Sequence, residues 1–128
     1  MHREKSQTAL DMGRTMKNLI EEYYSCEKTA PQGIPSASYF AEKLGMDYEY
    51  FEDLIFKQNG LSAEGFISLE LARRARLKLF DTSRSIAFTA SELGFKSTSG
   101  FERFFKRQTG FTPFKYREII KKNFTGRR

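Results

Sequence analysis

The sequence predicts an all-α protein of about seven helices, built as two helix-turn-helix lobes joined by a long linker helix. Three observations carry that prediction. Apolar residues recur at i, i+3, i+4 and i+7 in segment after segment, the period of a helix and not of a strand. Gly, Ser, Thr and Asp punctuate those segments where helices end and begin. One helix–turn–helix stretch occurs twice, at an offset of about 50 residues.

Taken in order, residues 1–10 are a polar lead-in expected to be flexible, with no signal-peptide pattern in Met1–Ser6. Asp11 to Cys26 reads as an amphipathic helix, with Met12, Met16, Leu19, Ile20 and Tyr23 on one face. Thr29 to Pro35 is a loop punctuated by Pro and Gly. Ser36 to Gly60 is the first helix-turn-helix, completing a first lobe at 11–62. Ala63 to Phe80 is the linker helix, capped by Ser62; Phe66, Ile67, Leu69, Leu71, Ala72, Ala75, Leu77 and Leu79 give it an apolar arc wide enough for burial on two sides. Arg73, Arg74, Arg76 and Lys78 lie along it, where a solvated face is commoner than phosphate contact.

The second lobe, 81–123, contains the clearest stretch, Ser85 to Arg117. Ser85 is placed to cap a helix carrying Ile86, Ala90 and Leu93, and Gly94 suits the left-handed residue that ends it. Ser97 caps the next helix, with Phe101, Phe104, Phe105 and Gln108 as its inner face and Thr98, Ser99, Arg103, Lys106 and Arg107 outside. Gly110 closes it. Thr112 caps a last helix, with Pro113 at the first position, where a missing N–H is harmless. Tyr116, Ile119 and Ile120 form that helix's apolar face, Lys121 and Lys122 suit its C-terminal end, and 124–128 is a tail. The first copy repeats this plan: Ser36, Ala41, Leu44 and Gly45 answer Ser85, Ala90, Leu93 and Gly94. After a turn one residue shorter, Asp47, Phe51, Ile55, Gln58, Gly60, Ser62 and Phe66 answer Ser97, Phe101, Phe105, Gln108, Gly110, Thr112 and Tyr116.

Composition narrows the function. The 128 residues carry 22 Lys and Arg against 16 Asp and Glu, a formal charge of +6, compatible with a polyanionic partner. One cysteine, Cys26, excludes an internal disulfide and suits a reducing compartment. No apolar run reaches the roughly 20 residues of a membrane span. The lone histidine, His2, has no companion ligands, so no metal is expected. There is no cofactor-cradling Gly loop and no paired carboxylate in a pocket-forming context. A Ser–His triad has no base beyond His2, so an enzyme is not expected.

The second copy resembles the signature region of the AraC/XylS family of bacterial transcription regulators. Ser85-Ile86, Ala90, Gly94-Phe95, Phe101, Phe105-Lys106, Gly110, Thr112-Pro113 and Tyr116-Arg117 carry the resemblance, which extends more loosely over Met12 to Lys122. It implies a homeodomain-like, seven-helix domain in which each second helix enters a major groove of double-stranded DNA. It also implies a bacterial cytoplasmic, nucleoid-associated regulator, expected as an activator although the sequence does not give the sign of regulation, and leaves RNA polymerase open as a second partner. The size is similar to the family's stand-alone members. The expectation here is the C-terminal domain of a longer regulator, whose sensing domain would take any small effector.

Two departures from the family pattern stand out. Leu71 occupies a linker-helix position where the family usually has Arg. The first recognition helix places Glu49, Glu52 and Asp53 where bases are usually read, with Asp47 as its cap and Phe56 in the place of Lys106. Carboxylates repel phosphate, although Glu can accept from a cytosine amino group.

The base-reading candidates are therefore Thr98, Ser99 and Arg103, together with Glu49, Glu52 and Asp53. The phosphate-contact candidates are Lys57, Lys96, Lys106, Arg107 and Lys115, with the helix N-termini at Ser36, Ser85, Ser97 and Thr112. The alternative is a protein-interaction module that keeps the fold with weak DNA binding, suggested by the acidic first helix and by Tyr48 and Phe56.

Overall fold

The computed structural model describes residues 11–25 and 33–125. Among them are seven α-helices and no strand: α1 Met12–Ser25, α2 Ala37–Lys43, α3 Tyr48–Asn59, α4 Ala63–Lys78, α5 Ile86–Leu93, α6 Thr98–Thr109 and α7 Pro113–Thr125. The lead-in with His2, Cys26, loop residues 29–32 and residues 126–128 lie outside the described part. The described residues form two compact units, 11–25 with 35–68 and 33–34 with 69–125; the division falls inside α4.

In the first unit, α1 contributes Met12, Met16 and Ile20 to a core completed by Ala37, Phe40, Ala41, Phe51, Ile55, Ala63, Phe66 and Ile67. The expected i, i+4, i+8 stripe of α1 is the face that is buried. Asp11 receives the Arg14 N–H (3.2 Å) and Gln58 Oε1 receives the Met12 N–H (2.7 Å), so the start of α1 is capped locally and from α3. In the second unit, Ala90, Leu93, Phe101 and Phe105 are buried. Phe95, in the turn, tilts against Phe101 and Phe104 at ring distances of 5.2 and 5.3 Å. Tyr116 of α7 meets Phe105 edge-on at 5.3 Å.

The two helix-turn-helix copies share one hydrogen-bond plan. Gly45 (φ 66°) and Gly94 (φ 99°) both end their first helix in the left-handed region. The following N–H reaches back five residues in each copy, Met46 to the Ala41 carbonyl (2.9 Å) and Phe95 to the Ala90 carbonyl (3.0 Å). Identical closures on aligned residues are what a duplicated unit requires. At Gly94 a second constraint operates, because a Cβ there would lie 2.7 Å from the Gly33 carbonyl carbon and 2.8 Å from the Ile34 nitrogen.

The linker helix departs from expectation in two ways. It ends at Lys78, and Phe80 is held by a tighter bond to the Leu77 carbonyl (3.2 Å). Its apolar residues are also not all buried. Phe66, Ile67, Leu71, Ala72, Ala75 and Leu79 are, but Leu69 and Leu77 are 54% and 59% exposed. Phe66 and Leu77, eleven residues apart, share nearly one face of the helix. The apolar arc of the sequence therefore overstates the burial of α4.

Candidate nucleic-acid interface

α6 is seated before it is presented. Each fully buried phenylalanine contributes roughly 1.5–3 kcal/mol, and Phe101 and Phe105 are both at 0% exposure. Two such anchors one turn apart fix which way the helix faces, because helix propensity is far weaker. The opposite side then points outward: Ser99, Arg103, Lys106 and Arg107 are exposed and Thr98 is half-buried. Glu102 is the single carboxylate among them, and no ion pair joins Arg103, Lys106 or Arg107 to a carboxylate among the described residues. Lys96, in the turn, and Lys115, in the first turn of α7, are exposed as well.

The expected serine and threonine caps are in place. Ser36 Oγ accepts from the Tyr39 N–H (3.1 Å), Ser85 Oγ from Phe88 (2.9 Å), Ser97 Oγ from Gly100 (3.0 Å) and Thr112 Oγ1 from Lys115 (3.2 Å). Each hydroxyl still has its own O–H to donate, and the helix N-terminus keeps further N–H groups, the chemistry that holds a phosphate.

The first copy is different. Asp47 stands at the cap position without a side-chain hydrogen bond, so the aligned residue does not do the work of Ser97. Glu49 is exposed. Glu52 is half-buried and engaged twice: Oε2 accepts from the Tyr48 hydroxyl (2.9 Å) and Oε1 from the Ala63 N–H (3.2 Å). It therefore caps the start of α4 across the turn. The same contact holds the Tyr48 phenol above its ordinary pKa, the hydrogen bond to Glu52 being the leading cause. Asp53 pairs with Lys57 at 3.2 Å, which occupies a cation expected to meet phosphate. Tyr48 and Phe56 are 40% and 59% exposed beside these acids.

One expected inner-face residue is not inside. Gln108 is exposed, as is Gln58, whose amide oxygen caps α1 instead; a long polar side chain at i+7 of a short helix reaches past the core edge. Sequence reasoning also missed a tether at the end of the signature. Arg117 Nε donates to the Leu79 carbonyl (2.9 Å) and Nη2 to the Asp81 carbonyl (2.8 Å). Its place in the Tyr116-Arg117 pair was the available signal. Among the described residues no group of three or more His, Cys, Asp or Glu is placed to hold a metal ion, and no helix is long and apolar enough to cross a membrane.

A family model described as a helix-turn-helix domain matches residues 40–119, more than half of the chain. The chain belongs to the AraC-type helix-turn-helix family. As a member of that family it is a DNA-binding transcription-regulator domain and not an enzyme. It is similar to YobQ of Bacillus subtilis, an uncharacterized HTH-type transcriptional regulator, at 28% identity over 71 residues, which cover 56% of this chain and 30% of the relative. The chain thus spans less than a third of that protein. Its fold is similar to the C-terminal domain of AraT, a response regulator from Geobacillus stearothermophilus (TM-score 0.73, 21% identity, 87% of each chain covered). It is also similar to the C-terminal domain of the two-component response regulator yesN from Fusobacterium nucleatum (TM-score 0.65, 25% identity, 80% of this chain and 98% of that one).

Proposed function

We propose that this AraC-type domain binds double-stranded DNA sequence-specifically and reads it chiefly with α6. The observation that carries the reading is the outer face of α6: cations without carboxylate partners among the described residues, on a helix anchored by Phe101 and Phe105. Arg103 reads a guanine, with Thr98 and Ser99 beside it at the helix start. Lys96, Lys106, Arg107 and Lys115, and the helix N-termini at Ser85, Ser97 and Thr112, hold phosphates. In the first unit Ser36 and Lys57 are the phosphate contacts, and Lys57 must exchange Asp53 for phosphate to serve. Glu49, Glu52 and Asp53 add little affinity; a cytosine amino group is the base-edge feature they can accept from.

The proposed organisation keeps the sequence boundaries, lead-in 1–10, first lobe 11–62, linker 63–80, second lobe 81–123 and tail 124–128, although α7 runs on to Thr125 and the two compact units divide inside α4. Two similar structures are C-terminal domains of response regulators, which supports a place at the C-terminus of a longer cytoplasmic regulator, with any effector site elsewhere and RNA polymerase as a second partner. Selection from random duplexes tests the reading. One motif should be enriched, and the logarithm of its affinity should fall linearly with log salt. Absence of enrichment, with salt-insensitive binding, refutes it.

A further inference from the structure

We infer that the groove along α3 is a docking site for an arginine-bearing segment of a partner protein. Tyr48, Glu49, Glu52, Asp53 and Phe56 share one side of two consecutive turns, and with Ser62 they line an open cavity of about 360 Å³. That volume suits one or two side chains, at the lower end of the range for small-molecule sites. Its lining combines two aromatic rings with three carboxylates, and this combination selects the occupant.

Three physical features point to arginine. A guanidinium is planar and weakly hydrated, stacks on aromatic faces and meets carboxylates through two parallel N–H bonds. Tyr48 and Phe56 offer exposed rings, Glu49 and Glu52 offer oxygens with remaining lone pairs, and Asp53 can exchange its exposed Lys57 partner (3.2 Å) for the guanidinium. Glu52 is also already held in place by the Ala63 N–H and the Tyr48 hydroxyl, so little ordering is left to do on binding. Against a nucleic acid the same groove is mismatched. Its carboxylates repel phosphate, and Phe56 stands where the other copy presents Lys106.

The inference rests on assigning DNA reading to the second unit, and the test separates the two. The whole chain, isotope-labelled, is titrated with an alanine-based helical peptide carrying two arginines four residues apart. Matched lysine and glutamine peptides and the selected duplex are titrated in parallel. The arginine peptide should shift the amide signals of Tyr48 to Phe56 and of Ser62; the lysine peptide should bind more weakly, and the glutamine peptide not at all. Phe56→Ala, at an exposed position, should weaken the arginine peptide about two- to fivefold, the worth of an exposed cation–π contact, while duplex affinity holds. Asp53→Asn should weaken the peptide too, a second reading should Phe56→Ala fail to fold. No shifts at millimolar peptide, or equal binding of all three peptides, overturns the inference. Shifts in the groove on adding duplex, with duplex affinity lost in Phe56→Ala, overturn it in favour of base reading. Shifts that grow with protein concentration alone overturn it in favour of a second copy. Absence of duplex binding by the unaltered chain, with arginine-peptide binding intact, would instead refute the α6 reading and leave the groove standing.

Discussion

Arg117 Nε lies 2.9 Å from the Leu79 carbonyl oxygen, and its Nη2 reaches the Asp81 carbonyl at 2.8 Å. One guanidinium of α7 thus holds the chain just past the end of α4, where carbonyls lack helical partners and the helix dipole is negative. Hydrogen bonds to charged groups contribute about 1.5–3 kcal/mol each when protected, and the Asp81 contact is exposed. Arg117→Ala should therefore cost about 2 kcal/mol in urea unfolding. Arg117→Lys keeps the charge but not the fork, and should recover less than half of that. A loss within experimental error for Arg117→Ala would show that the tether is idle.

Gly94 and Gly110 permit a controlled comparison. Both are left-handed, at φ 99° and 89°. A Cβ at Gly110 meets nothing within 4 Å, whereas one at Gly94 strikes the backbone of Gly33 and Ile34. Gly110→Ala should cost about 1–2 kcal/mol from left-handed strain alone. Gly94→Ala adds a backbone collision that no side-chain rotation relieves, so its cost should be clearly larger. Thermal unfolding of the two variants side by side checks the order, and equal values would remove the collision from the account.

On DNA, Arg103→Ala should cost about 1–3 kcal/mol at one base step and relax preference there, as for a bidentate guanine contact. Lys106→Ala should weaken all duplexes alike and flatten the salt slope by about one unit. Asp53→Arg should raise non-specific affinity, since it replaces a repelling charge and releases Lys57. Competition titrations at several salt concentrations separate these effects. Uniform losses for both Arg103→Ala and Lys106→Ala would strike Arg103 from the readers.

Asp81 supplies a pH prediction. The Ser83 hydroxyl (2.6 Å) holds its carboxylate below the ordinary 3.8, helped by the Ser83 N–H (3.1 Å) and by Arg84 and Arg117. A group whose folded pKa is depressed adds stability that is present above the unfolded pKa and lost as pH falls through the folded one. The advantage of the wild-type chain over Asp81→Asn should hold at neutral pH and vanish as pH drops below about 3.8. An advantage that persisted at lower pH would mean the carboxylate's charge is not its source.

Much of the fold was legible because its determinants are local. Ser85, Ser97 and Thr112 cap the helices that follow them, and Gly94 ends the one before it, since an oxygen two or three residues from an N–H needs no tertiary context. Phe101 and Phe105 were legible by period alone. What escaped was long-range or graded. Gln58 bonds across 46 positions to Met12, and Arg117 across 38 to Leu79, and no spacing rule reaches that far. Leu69 and Leu77 have the right residue type for a core but remain exposed on α4. The outward residues of α6 could be named because their neighbours are buried. Which base each meets depends on a partner that the chain's own periodicity does not encode.

The double engagement of Glu52 bears on how this lobe can change over generations. A recognition surface drifts easily when its residues answer only to the ligand. Here one carboxylate on the outward helix also secures the first N–H of the helix that follows. Substitutions at position 52 that alter what the surface meets therefore also loosen the fold, by about the worth of a helix cap, roughly 1 kcal/mol. Thr98, Ser99 and Arg103 carry no comparable side-chain obligation among the described residues. Retargeting of the domain, by selection or in the laboratory, should accordingly run through α6, and position 52 should resist randomisation in libraries screened for stability alone.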